Sequence, residues 1–226
     1  MNFDATLLAE HVPWLIWLSW LLWLPCLIHA IRRAPWRTLL EQESRRFNLW
    51  MAIVILLVFF WGMKAGIKPG LDLHLTGIML FTLLFDVPLA FIGFNLVLAG
   101  LALTGALSWS GFALDALMTA GIGVILARLI RSAVERFFPR HFFIFIFLQC
   151  FFGAALVVAG IGLAASLLYA ATGIYTWTYL AEEYLPYYIL LGFSEAWLSG
   201  MLLTLMTVYY PTWVVAYDQH LYLDGK

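Results

Sequence analysis

Long apolar runs separated by short charged or turn-forming stretches constrain this chain more than any other feature. Of its 226 residues, 64% are hydrophobic and 11% are charged, whereas a soluble domain is usually about half apolar and about a quarter charged. A helix needs roughly 20 apolar residues to cross a bilayer. Composition therefore predicts an all-α, polytopic membrane protein in the lipid bilayer, formed by a single integral domain over residues 1–226.

The runs that are long enough, or nearly so, predict about seven transmembrane helices. The run over residues 73–107 is too long for one helix. We divide it at Asp86-Val87-Pro88, because proline lacks an amide donor and disfavours helix in the residue before it. The predicted helices cover about residues 13–31, 48–66, 74–86, 88–107, 112–133, 142–171 and 187–209.

Basic residues predict the orientation, because Lys and Arg near helix ends are retained on the cytoplasmic side. With seven helices, ten of the twelve bases fall on one side: five in residues 32–46, four in residues 128–140, and Lys226. We therefore expect a multi-pass protein of the bacterial inner membrane, with its N-terminus outside and its C-terminus in the cytoplasm. The stretch before the first apolar run carries Asp4 and Glu10 but no base, so we expect no cleaved signal peptide.

Charge and motifs exclude several function classes. A net charge of −1 with twelve bases argues against a nucleic-acid partner, since phosphate binding needs a basic face. The chain has no HExxH, GxSxG or Walker lysine motif, and Cys26 and His29, at helical spacing, have no third group to orient them. We therefore expect a protein that is not an enzyme.

Metal-ligand side chains collect on the predicted outer side. His74 follows Pro69 and Gly70, so a constrained turn would aim its imidazole, a group that suits Ni, Co, Cu or Zn. His74 could instead cap a helix at the lipid headgroups, and His11 could be an interfacial residue. The candidate metal ligands are His74, Asp72, Asp115, His11, Met1 through its amine, and Asp4.

Glu195 is expected about eight residues into the last helix, roughly 12 Å from its outer end. A charged side chain at that depth needs a partner. Asn95, Gln149 or buried water could provide it, and either a structural hydrogen-bond role or direct substrate contact is open. Asp86, near the inner turn, is expected to cap the following helix or to pair with an arginine.

The order of short motifs resembles the substrate-capture membrane component of energy-coupling-factor transporters for cobalt and nickel. The segment Pro69-Gly70-Leu71-Asp72-Leu73-His74-Leu75-Thr76-Gly77 is similar to that family's Pro-Gly…His-Leu-x-Gly turn. Three more segments follow in the family's order: Asp86-Val87-Pro88, residues 112–118 and residues 192–200, which contain Glu195-Ala196. A divergent bacterial branch of the family shares the Leu-His-Leu turn and the Glu-Ala segment.

The resemblance implies a seven-helix fold, an extracytoplasmic site for cobalt or nickel as substrate, a transmembrane coupling subunit and cytoplasmic ATPases. In the family, the N-terminal amine, a histidine after the initiator methionine and the histidine of the Pro-Gly turn hold the metal. This chain has Asn2 instead of the first histidine, and Asp115 where the family has Asn. Of the side-chain ligands, only His74 carries over.

Two functions follow as hypotheses. The chain could be the substrate-binding permease component of an energy-coupling-factor transporter for a divalent transition metal, with His74 as the main ligand. Alternatively, it could be a non-transporting membrane scaffold or accessory subunit that kept the fold after losing the metal site, as Asn2 would suggest.

Overall fold

The computed structural model describes residues 8, 11–41, 45–63, 65–66 and 71–222, which are mostly helical. Five helices of this part are long and apolar enough to cross a membrane, and one shorter apolar helix accompanies them. The expected all-α, multi-pass membrane fold is thereby confirmed. The helices are α1 (Pro13–Arg33), α2 (Trp36–Leu40), α3 (Arg46–Gly62), α4 (Ile78–Leu103), α5 (Phe112–Phe137), α6 (Phe142–Ala171), α7 (Trp177–Tyr209) and α8 (Gln219–Tyr222).

The long helices differ greatly in how much of their surface is covered. Helix α4 is the most buried, with 78% of its most apolar stretch inside the protein, whereas α1 has 11%. Helix α1 begins with Pro13, which is tolerated in a first turn, and ends with Arg32 and Arg33, whose charges complement the helix dipole. Helix α4 is therefore the centre of the bundle, and α1 lies at its edge.

Helix α4 is divided into two arms at Asp86. The Asp86 backbone has φ 65° and ψ 170°, outside the helical region. Pro88 cannot donate the amide hydrogen bond that would continue the helix across this point. The first arm covers residues 78–85, and the second arm covers residues 87–103.

The two arms fold back on each other. The ring centroids of Phe81 and Phe94 lie 5.2 Å apart, and a Cβ added at Gly93 would collide with the Phe81 ring. Positions 81 and 94 of a straight helix would be roughly 20 Å apart along its axis, so these contacts require a reversal. The Asp86 carboxylate at the reversal accepts a hydrogen bond from Arg128 at 3.4 Å, and the expected pairing with arginine is confirmed.

Each of the three following long helices contains one π-helical turn, which is wider than an α-helical turn and is frequent at functional sites. The turn in α7 lies just before Pro186, and helix α7 begins at Trp177, ahead of the predicted start at residue 187. The π turns are Ala116–Gly121, Phe145–Phe152 and Leu180–Tyr184.

A short two-stranded sheet lies between α3 and α4, where the sequence predicted helix up to residue 66 and again from residue 74. Its strands are β1 (Ala65–Gly66) and β2 (Asp72–Leu73), and they pair antiparallel. Helix α4 starts only at Ile78, because Gly77 before it has φ 64°, a left-handed conformation that glycine adopts readily.

The chain after α7 crosses α4 next to the reversal at Asp86. We call residues 210–222 the C-terminal strap; it consists of the 3₁₀ turn Pro211–Trp213, an irregular stretch and α8. The backbone N–H groups of Val215 and Ala216 donate hydrogen bonds to carbonyls of the first arm. The strap is thus attached to the central helix.

Candidate metal-binding turn

The segment between β2 and the first arm forms a buried irregular turn, which we call the His74 turn (residues 71–77). Leu71, His74 and Thr76 are all buried, with 0%, 4% and 3% of their surface exposed. Backbone polar groups outside regular structure are costly in a membrane protein unless another group satisfies them. The partners of this turn come from helices α3 and α7.

Glu195 of α7 satisfies the amides at the end of the turn. Its Oε1 accepts hydrogen bonds from the backbone N–H groups of Thr76 and Gly77, the latter at 3.0 Å. Its Oε2 accepts a hydrogen bond from the Ser199 hydroxyl at 3.2 Å. Because the first arm begins just after Gly77, the carboxylate lies at the positive end of that arm's dipole. Glu195 therefore caps the first arm from another helix.

Trp61 of α3 holds the opposite side of the turn. Its Nε1 donates a hydrogen bond to the Thr76 carbonyl at 3.2 Å. The Trp61 and His74 rings lie 4.6 Å apart between centroids, at 37° to each other. Trp61 also stacks on Phe94 of the second arm, with centroids 5.6 Å apart. The imidazole is therefore packed against an indole that is itself fixed in the core.

The two nitrogens of His74 have different surroundings. Nδ1 lies 3.1 Å from the Leu75 carbonyl oxygen. A carbonyl only accepts hydrogen bonds, so this contact places the proton on Nδ1 and a lone pair on Nε2. Nε2 is buried and has no hydrogen-bond partner among the residues with described positions. A backbone carbonyl that fixes the tautomer while the other nitrogen keeps its lone pair is typical of metal-binding histidines.

Asp72 lies on β2, two residues before His74, and is partly buried. It is within electrostatic range of the hydroxyls of Tyr184 and Tyr188 of α7. Those two hydroxyls lie 2.9 Å apart, and both side chains are buried. The first part of α7 thus contributes polar groups close to the His74 turn.

The other predicted ligands are more scattered. Asp115 is fully buried at the start of α5, directly before its π turn, whereas His11 is exposed. Met1 and Asp4 lie outside the described residues. Within the part of the chain that the structure covers, no three His, Cys, Asp or Glu side chains form a group that could hold a metal ion. The ligand set beyond His74 therefore stays a prediction.

Asn95 and Gln149, named from the sequence as possible partners of Glu195, have other roles. Asn95 accepts a hydrogen bond from Trp23 Nε1 at 2.6 Å and donates one to the Phe91 carbonyl at 2.8 Å, tying α1 to α4. The buried Gln149 side chain lies close to Tyr222 of the strap. Burial raises the pKa of the Tyr222 hydroxyl, and the neighbouring Glu135 charge adds to the rise.

Sequence reasoning missed the groups that shape the turn, namely Trp61, Thr76 and Ser199. Ser199 follows Glu195 by one helical turn, a spacing that places both on one face of α7. This spacing could have predicted that the two side chains share a hydrogen-bond network. No sequence pattern predicts the role of Trp61, because its hydrogen-bond partner is a backbone carbonyl.

The fold and site together define a polytopic all-α membrane protein that holds a buried imidazole on a turn capped from another helix. Residues 11–213 match the CbiM family, described as the cobalt uptake substrate-specific transmembrane region. The chain belongs to this family, which is a family of transport proteins rather than enzymes, and the resemblance seen in its motifs is confirmed. Comparisons with curated proteins and with solved structures give no significant match.

Proposed function

We propose that this protein captures a cobalt ion on the outer side of the bacterial inner membrane through His74 Nε2, as the substrate-binding component of an energy-coupling-factor transporter. One observation carries the proposal: a buried imidazole nitrogen has its lone pair available on a turn held by Glu195 and Trp61. Membership of a cobalt-uptake family supports cobalt as the ion.

The proposed topology has seven membrane segments in one integral domain, with the N-terminus outside and the C-terminus in the cytoplasm. The two arms of α4 count as separate segments because they fold back at Asp86. Arg128 and Arg131, which face Asp86 at 3.4 and 3.9 Å, support a cytoplasmic position for that reversal. The His74 turn, at the opposite end of the first arm, then lies towards the outside.

The remaining ligands are proposed to come from Asp72, Asp115, His11, and the N-terminal segment with the Met1 amine and Asp4. A single imidazole does not make a cobalt site, and borderline divalent ions accept mixed nitrogen and oxygen ligands. Asp72 has the strongest support, because it precedes His74 by two residues on β2.

Transport requires partners in this proposal. The sequence contains no nucleotide-binding motif, so energy for inward release would come from a transmembrane coupling subunit and cytoplasmic ATPases. Nickel is the second ion to be tested, because a nitrogen-rich site binds it by the same chemistry.

The test is metal binding by detergent-purified protein with a native N-terminus. Wild type is expected to bind about one cobalt equivalent by mass spectrometry, and His74→Ala to weaken cobalt binding at least about 100-fold, since even indirect ligand contacts are worth about 10–100-fold. His29→Ala, which changes an exposed histidine of α1, is the matched control and should bind like wild type. Parallel titrations with nickel determine the preferred ion.

Two results would contradict the proposal. If cobalt binding survived His74→Ala unchanged, the ion would be held elsewhere. If neither cobalt nor nickel bound to wild type, the scaffold or accessory-subunit hypothesis would be supported instead.

A further inference from the structure

The inner end of the first arm depends on the C-terminal strap. In a continuous helix, the Leu84 carbonyl would accept from residue 88, but that residue is Pro88 and has no N–H. Instead, Val215 N–H donates to the Leu84 carbonyl at 3.4 Å, and Ala216 N–H donates to the Leu83 carbonyl at 3.0 Å. The strap thus supplies hydrogen bonds that the break at Asp86 removes.

The first arm is therefore capped at both ends by distant parts of the chain. Glu195 caps its amides next to the His74 turn, and the strap caps its carbonyls. An arm of eight residues is roughly 12 Å long, so the two caps are only about two helical turns apart. A short helix whose terminal groups lose their partners frays at that end, and here the fraying would reach the His74 turn.

Side chains of the strap are buried in the core, with Val214 1% and Tyr217 7% exposed. An open groove of about 260 Å³ lies on one side, between the strap and α5, and is lined by Arg131, Glu135 and Asp218 among others. A second open groove of about 270 Å³ lies where the strap meets the ends of α6 and α7. The family match ends at residue 213, so Val215 and Ala216 lie beyond the region that the family describes.

We propose that the C-terminal strap is a positioning element for the His74 turn, acting through the first arm. Its backbone donors fix the inner end of the arm, and the arm fixes the backbone that carries His74. Displacement of the strap at one end of the arm then loosens the turn at the other end. The cobalt part of this proposal rests on the proposed function; the mechanical part does not.

The test compares two proline variants by hydrogen exchange of the metal-free, full-length protein in detergent. Ala216→Pro removes the donor to Leu83. Gln219→Pro is the matched control, because position 219 is the first residue of α8, where proline is tolerated. Ala216→Pro should speed exchange over residues 71–85 about threefold to tenfold, as expected for one lost backbone hydrogen bond. Gln219→Pro should leave those residues unchanged.

Exchange in Gly153–Ala171, the part of α6 that follows its π turn, serves as the folding control and should stay as in wild type. Unchanged exchange over residues 71–85 in Ala216→Pro would overturn the proposal. An equal increase in Gly153–Ala171 would overturn it as well, because the strap would then contribute only to global stability. A chain ending after Trp213, which lacks both donors, provides a second variant and should show the same local pattern more strongly.

Cobalt titration of the same variants separates this inference from the proposed function. If wild type binds cobalt, Ala216→Pro should weaken binding about threefold to tenfold, while Gln219→Pro should not. If wild type binds no cobalt, the proposed function fails, but the exchange pattern still determines whether the strap positions the turn.

Discussion

Buried in the middle of α7, Glu195 would be costly if its oxygens lacked donors. The structure provides two backbone amides and a hydroxyl, from Thr76, Gly77 and Ser199. The two amides lie at the start of the first arm, where N–H groups have no partner within the helix. The residue thus compensates for the irregular turn that presents His74.

We expect Glu195→Gln to weaken both the fold and the site, since its NH₂ group would replace Oε2, which faces the Gly77 N–H at 3.3 Å. A buried donor left without an acceptor costs about 1–3 kcal/mol, so the unfolding midpoint should fall, and cobalt affinity should fall about 10–100-fold. Thermal unfolding and cobalt titration measure these changes.

Thr207→Val is the control for this prediction. It removes a buried hydroxyl on the same helix whose hydrogen bond, at 2.7 Å, goes to Leu203 of α7 itself. It should leave cobalt affinity unchanged. If Glu195→Gln lowered stability but bound cobalt as tightly as wild type, Glu195 would have no role in positioning His74.

The sequence predicted individual residues of the site, but not the contacts between residues far apart in the chain. His74 and Glu195 stood out from the sequence because polar residues in apolar segments need a reason to be there. Their connection could not be predicted, because Glu195 and Thr76 are 119 positions apart and one partner is a backbone amide. Any residue type at position 76 other than proline would offer the same donor.

At the scale of elements, the sequence predicted where α4 is divided. It did not predict where the first arm starts or where the π turns lie. Asp86-Val87-Pro88 correctly divided the long apolar run, since proline breaks the hydrogen-bond ladder. The start of the first arm at Ile78 depends on Gly77 and on the cap from α7, and the π turns have no residue signature. These features result from packing between helices rather than from local preference.

The reversal itself makes a testable prediction, because Asp86 adopts φ 65° and ψ 170°, a region used almost only by glycine. Such strain costs about 1–3 kcal/mol, while the half-exposed Asp86–Arg128 pair is worth about 0–1 kcal/mol. Asp86→Gly relieves the strain at an entropy cost of about 0.5–1 kcal/mol. Asp86→Ala loses the same ion pair and keeps the strain.

We therefore expect Asp86→Gly to be more stable than Asp86→Ala by about 1 kcal/mol, or about 2–4 °C in the unfolding midpoint. Thermal unfolding of the two variants in the same detergent measures the difference. Equal midpoints would mean that the backbone at position 86 is not strained.

At the scale of the whole molecule, the positions of bases and of the reversal agree on one orientation. Five bases in residues 32–46 and four bases in residues 128–140 lie at the same end of the bundle as Asp86. The Asp86 carboxylate faces Arg128 and Arg131. The opposite end holds the His74 turn. The distribution of bases predicts that this shared end is cytoplasmic, because Lys and Arg near helix ends are retained on that side.

Cysteine labelling of intact cells tests the orientation. In a Cys26→Ala background, Ser110→Cys, in an exposed loop between α4 and α5, should react with a membrane-impermeant maleimide. Gln219→Cys, exposed on the strap, should react only after permeabilisation. The reverse pattern would invert the topology and place the His74 turn in the cytoplasm.

The double capping of the first arm also has a consequence for biosynthesis. Thr76 leaves the ribosome 119 residues before Glu195, which at about 5–20 residues per second is roughly 6–24 s. Until α7 has been synthesised, the first arm lacks the cap from Glu195. Until the strap has been synthesised, it also lacks the cap on its carbonyls. Nascent chains that stop before α7 would thus expose unsatisfied amides to lipid, and membrane quality-control proteases would have a means of distinguishing them from finished protein.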